Sequence, residues 1–176
     1  STLKYFPFQW SDTIDKVEIN GKINYQDKFQ NVKFKLVGMN SDHYGDDKKW
    51  SYRVSVKSDN VVDRIKKFNL LVPPSRNYVN DCIAQFFLKE LDLISLRVKP
   101  IKLVLNGDDM GIYLKEEFYD KRLIEYNKFR ESAIFRLKDD FIIEISDNNY
   151  LKYKSLLDGF QKKIDLFVND SIQIDE

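Results

Sequence analysis

Basic side chains, an acidic pair and a lone imidazole are the groups in this sequence that could do chemistry. Arg76 follows Pro73-Pro74-Ser75 and opens a run of helical apolar spacing. Free N–H groups and the positive end of a helix dipole attract an anion at such a place. A salt bridge to Asp81 or to a neighbouring strand is the other use of the same guanidinium. Arg53 lies where Trp50, Tyr52, Val54 and Val56 alternate with Ser51, Arg53 and Ser55, so its side chain points to the face opposite the aromatics. His43 is the sole histidine and sits among Asp42, Asp46 and Asp47. That loop offers a metal ion carboxylates but a single imidazole, and loops of this kind are usually solvated, so no metal ligand is assigned. A Ser-His-Asp triad has no G-x-S-x-G elbow to support it. The G-x-G-x-x-G, V-A-I-K, H-R-D and D-F-G signatures of ordinary protein kinases are also missing, so no catalytic residue is assigned.

The elements that must position these groups are legible in outline. Val98 to Phe118 reads as a β-hairpin: apolar Ile101, Leu103, Val104 and Leu105 meet Asn106-Gly107, and Gly111, Ile112, Tyr113 and Leu114 follow. It delivers Glu117 to the end of its second strand, and Leu103 and Ile112 are expected in the core. Lys16 to Gln26 alternates around Asn20-Gly21, a second hairpin signal. Phe29 to Met39 places Val32, Phe34 and Leu36 on one face and Lys33 and Lys35 on the other. A polar loop, Asn40 to Lys49, leads into the strand Trp50 to Val56. Phe68 to Val72 is a buried strand stopped by Pro73-Pro74. Ser75 is the expected N-cap of a helix from about Arg76 to Leu91, with Val79, Cys82, Ile83, Phe86, Phe87 and Leu91 at helical spacing. A helix over Asp120 to Arg130, strands over Ala133–Leu137 and Phe141–Ile145, and a helix over Tyr150–Val168 complete the reading.

Composition bounds the class. The chain has 176 residues, 43% hydrophobic and 14% aromatic, enough for a core in one domain. Lys+Arg 29 against Asp+Glu 28 gives a net charge of +1, which provides no field to recruit nucleic acid or an anionic membrane. Cys82 is the single cysteine, so neither an intrachain disulfide nor a cysteine metal cluster is possible. No apolar run approaches a membrane span, and no signal peptide is seen. The chain begins at Ser1 without Met, as an excised fragment of a longer precursor would.

Four segments, in order, resemble one family. Asn106-Gly107, three residues, Gly111-Ile112-Tyr113 and then a Glu six positions after Gly111 resemble the "NG-x3-GLY…E" pattern of the CotH kinases, the spore coat protein H-like proteins. Lys35 to Ser41 is similar to the family's basic-x-x-Gly-x-x-Ser loop. Lys48-Lys49-Trp50-Ser51-Tyr52-Arg53-Val54 is similar to its "KKPYRI" strand with one extra residue. Phe68-Asn69-Leu70-Leu71, followed by Ser75-Arg76-Asn77, resembles its passage from a Leu-Leu strand into a helix. The resemblance covers roughly residues 17 to 138.

It implies an atypical protein kinase that uses ATP and Mg or Mn to phosphorylate Ser in secreted or coat proteins, at a secreted, cell-surface or coat-associated location. By the same resemblance Lys35, Arg53, Arg76 and Glu117 are the nucleotide-binding residues, the first three toward phosphate and Glu117 toward the ribose or adenine edge, unless it anchors a basic side chain. The family's catalytic and metal-binding carboxylates lie in a helical second lobe, and nothing after Glu117 matches them. The chain ends about where that lobe should begin, so by itself it is expected to be inactive. The expected fold is α+β, a twisted antiparallel sheet with flanking helices like a kinase small lobe, which also has strands, one long helix and two more strands in that order. Residues 1–15 form an N-terminal segment, 16–146 the lobe and 147–176 a C-terminal helix. The alternative is a non-catalytic coat or extracellular assembly module on the same fold. If nucleotide binds, Lys35, Arg53, Arg76 and Glu117 must converge on one concave face, with Glu116 or Glu117 as acidic neighbour to the cations.

Overall fold

Residues 17–38, 43, 49–130, 134–137, 143–145 and 150–168 are described by the computed structural model. Six antiparallel strands form one curled sheet: β1 (Ile19–Tyr25), β2 (Lys28–Leu36), β3 (Tyr52–Val56), β4 (Lys67–Leu71), β5 (Val98–Leu105) and β6 (Asp108–Glu117). Their order is β1-β2-β3-β4-β6-β5. Between β4 and β5 come a 3-10 turn, Pro73–Arg76, and helix α1, Asn80–Glu90. The chain divides into two compact units, Ser1–Phe118 and Tyr119–Glu176. The first is thus an α+β unit built on the sheet.

Alternation decides which face is buried. Val32, Val54, Val56, Phe68, Leu70 and Tyr113 pack on one face with Val62, Ile65 and Val72, and Ile23, Tyr25, Phe34, Ile101 and Leu103 add partly buried area. The opposite face carries a smaller cluster, Val37, Leu71 and Leu114, against which Cys82 of α1 and Val98 pack.

Four details differ from the sequence expectations. Asn20-Gly21 is not a turn: β1 runs through it, and the reversal comes at Gln26-Asp27, both left-handed with φ of 51° and 60°. Gly21 serves close approach instead, because a Cβ there would stand 2.7 Å from the Phe34 ring. Asn106-Gly107 is the expected turn, with φ of 54° and 95°. Ser75 does not cap α1. Its Oγ donates to the Val72 carbonyl at 2.7 Å, and left-handed Asn77 and Tyr78 delay the helix to Asn80.

The apolar stripe of α1 is mostly exposed as well. Val79, Ile83, Phe86, Phe87 and Leu91 lie open, and only Cys82 of the expected positions is partly buried. Ile112 is 51% exposed, because its parity puts it on the face opposite Tyr113, while Leu103 packs on the core.

The second unit holds α2 (Lys121–Tyr126), the hairpin β7 (Phe135–Leu137) with β8 (Ile143–Ile145), and α3 (Tyr150–Val168). Asp120 caps α2, its Oδ1 accepting from Arg122 N at 2.8 Å. Phe135 and Phe160 meet edge to face with ring centres 5.4 Å apart. Residues 1–16 and most of the 39–48 loop, with Asp42, Asp46 and Asp47, lie outside the described residues.

Candidate functional site

Strand register lays out a polar row across the face opposite the main core. Lys35 pairs with Arg53, Arg53 with Asn69, and Asn69 with Glu116. Adjacent strands keep paired side chains on the same side, so residues 36, 54, 68 and 117 face the core and this row faces away. The row is wired by hydrogen bonds. Arg53 Nε donates to Asn69 Oδ1 at 3.0 Å, and Asn69 Nδ2 donates to Glu116 Oε1 at 2.9 Å. Asn69 and Glu116 are buried, so each polar atom needs such a partner.

Arg76 joins the row from outside the sheet. Pro73-Pro74 cannot continue β4, and the 3-10 turn folds back so that Arg76 Nε donates to Glu116 Oε2 at 3.1 Å. Its Nη1 donates to the Ser75 carbonyl at 3.2 Å. Asp81, in the first turn of α1, has Oδ2 4.0 Å from Arg76 Nε. Burial and then the Glu116 carboxylate push the Asp81 carboxyl above its ordinary value.

Two residues not assigned from sequence belong to the same face. Lys67 Nζ lies 4.1 Å and Arg53 Cζ 4.2 Å from the centre of the Phe118 ring, so one ring supports two cations. The Lys33 bond and charge hold the Glu18 carboxylate below the usual range, with Lys35 and Lys67 adding to the effect. Lys67 and Asn69 become visible only once the pairing of β3, β4 and β6 is known, and the same pairing selects Glu116 over Glu117 as the acidic neighbour.

Glu117 is not part of this group. It pairs with Phe68, faces the core side and is 1% exposed. Arg97 Nε donates to its Oε2 at 2.8 Å, and Arg97 Nη2 contacts its Oε1. The same guanidinium reaches the carbonyl of Arg64 at 3.4 Å, tying down the left-handed turn at Asp63-Arg64. Beside it, Lys115 Nζ donates to Asp63 Oδ2 at 2.9 Å over the Phe68 and Tyr25 rings. Burial holds the Lys115 ammonium below its usual range despite that bond. Burial alone would raise Asp63, but hydrogen bonds from Lys99 and Lys115 outweigh it and bring the carboxyl down to about 2. Of the four residues, Lys35 and Arg53 lie side by side on the outer face, Arg53 linked to Glu116 through Asn69, and Arg76 bonds Glu116 directly. Glu117 anchors Arg97 on the other side of the strand.

His43 is structural in its contacts. Its Nδ1 lies 3.0 Å from Ser51 Oγ, which also accepts from Val72 N at 3.1 Å. Gly38, at φ +104°, makes room for the ring: a Cβ there would stand 2.1 Å from His43 Cγ. Among the described residues no group of three or more His, Cys, Asp or Glu is placed to hold a metal ion.

Lys35, Arg53, Lys67 and Arg76 make the outer face rich in cations. Both Glu116 oxygens there already accept hydrogen bonds, from Asn69 and Arg76. Among the described residues no helix is long and apolar enough to cross a membrane. The chain matches no protein-family model and no curated protein sequence.

Proposed function

We propose that this chain contains the small lobe of a CotH-like atypical protein kinase, acting on Ser in secreted or coat proteins, and that its outer sheet face receives the phosphates of ATP. One observation carries the reading: three cations from separate stretches of sequence, Lys35, Arg53 and Arg76, come together on one face, two of them oriented through Asn69 and Glu116. Phosphoryl transfer is chiefly positioning and charge neutralisation, so a preorganised set of cations is what the nucleotide end of such a site requires. The order of four strands, a helix and a hairpin supports it.

Isothermal titration of the chain with ATP tests the assignment. Arg53→Met and Arg76→Met are each expected to weaken binding about tenfold or more, since each removes a charge-assisted phosphate contact. Glu117→Gln should leave the affinity of the folded protein unchanged. Equal ATP affinity in wild type and both arginine variants would remove the phosphate site.

A second reading, a non-catalytic assembly module, is favoured by the exposed apolar stripe Val79, Ile83, Phe86, Phe87 and Leu91, because a contiguous apolar patch marks a contact surface. Under it, ATP affinity ignores Arg53 and Arg76, while Phe86→Ser with Phe87→Ser abolishes assembly.

A further inference from the structure

The Glu116 carboxylate is shared by more groups than its hydrogen bonds show. Its two oxygens accept from Asn69 and Arg76, and the first turn of α1 sets Asp81 Oδ2 4.0 Å from the same Arg76 Nε. Asp81 Oδ2 is buried and has no hydrogen-bond partner, although Arg76 Nε is 4.0 Å away. Two carboxyl groups therefore crowd one guanidinium that only Glu116 bonds directly. Burial and the neighbouring Glu116 carboxylate disfavour the charge on Asp81, and a proton there removes it from the orphaned oxygen.

We propose that Asp81 is a positioning residue for the anion face, acting through Arg76. With its proton on, Asp81 leaves a single carboxylate on Arg76 and the face binds polyanions tightly. Ionised, it sets a second negative charge beside the guanidinium and weakens binding. The inference rests on the reading of this face as a phosphate site and adds its regulation by pH.

The surroundings are consistent with this role. From β6 Asp81 is faced by Glu116, from the 3-10 turn by Arg76, and on its own helix by Cys82 and Gln85. Gln85 Oε1 accepts from Leu96 N at 2.7 Å, which leaves its amide nitrogen for Asp81. Burial and the charge of Asp81 push the Cys82 thiol up, so it stays neutral where Asp81 titrates. Burial and Glu116 raise Asp81, and Arg76 and Gln85 offset this only in part.

Trimetaphosphate is a suitable probe because its charge is constant across the range in which a raised carboxyl titrates. The wild-type chain is expected to bind it about tenfold more tightly below the measured Asp81 midpoint than well above it, a change that corresponds to roughly one unit of coupled protonation. Asp81→Asn cannot ionise and is expected to keep the tight affinity at both ends, while Asp109→Asn, an exposed control bonded to Lys102, keeps the wild-type profile. Carbon NMR of the Asp81 carboxyl supplies a measurement free of ligand: its midpoint should lie above the ordinary aspartate value and fall in Glu116→Gln. Parallel affinity profiles in wild type and Asp81→Asn, or an Asp81 midpoint at or below the ordinary value, would overturn this proposal alone. Absence of trimetaphosphate binding at every pH in both proteins would overturn the phosphate face itself.

Discussion

Glu116 and Glu117 are chemically alike and adjacent, yet strand parity sends them to opposite sides of β6 and to different arginines. Glu116 shares a buried network with Arg76 and Asn69, whereas Glu117 is held by Arg97. Breaking a buried pair from one side strands the other charge, so Glu117→Gln should cost about 3–5 kcal/mol in chemical denaturation. A loss below about 1 kcal/mol would mean that Arg97 finds another partner. The sequence could announce an acid beside the cations but could not choose between the two, because the choice depends on which residue of β4 lies opposite. The direction of Arg53 was legible for the converse reason. Its own strand alternates cleanly, and one face of such a strand must be the apolar one.

At the scale of elements, periodicity served better than local turn chemistry. The strands of the sheet and the span of α3 follow their apolar alternation or helical spacing, but Asn20-Gly21 lies inside a strand although it is the strongest short hairpin signal. Tertiary packing wins there: placing the reversal at Gln26-Asp27 lets Ile23 and Tyr25 reach the core and lets Gly21 slide under Phe34. The turn is correspondingly strained, since neither Gln26 nor Asp27 is a glycine. Asp27→Gly should stabilise the protein by about 1 kcal/mol, the approximate cost of a left-handed side-chain residue. An unchanged or lower melting temperature would show that the Asp27 side chain compensates locally. The helix was misplaced at its start for a similar reason. Ser75 has the type of a cap, but the double proline spends it on a 3-10 turn, and left-handed Asn77 and Tyr78 then set the entry to α1.

In the sheet as a whole, burial concentrates in two strands. Phe68 to Leu71 of β4 and Tyr113 to Glu117 of β6 are all buried, while β1 is an edge with exposed Ile19. Amide hydrogen exchange should therefore be slowest in β4 and β6 and fastest in β1, since local opening follows exposure and contact density. Equal protection of β1 and β4 would contradict this layout. The strand order carries a further consequence, for synthesis. The strands β1 to β4 form a continuous meander, and β5 with β6 a local hairpin, so each can pair as soon as it is made. The seam between them is β4 against β6, and its partners, Leu71 with Leu114 through Phe68 with Glu117, are separated by the whole 3-10 turn, helix and hairpin. At roughly 5–20 residues per second, a ribosome leaves the apolar edge of β4 unpaired for some seconds before its mate emerges. The nascent meander is the form of this protein most exposed to edge-to-edge association, and the last residues of the hairpin are what end that exposure.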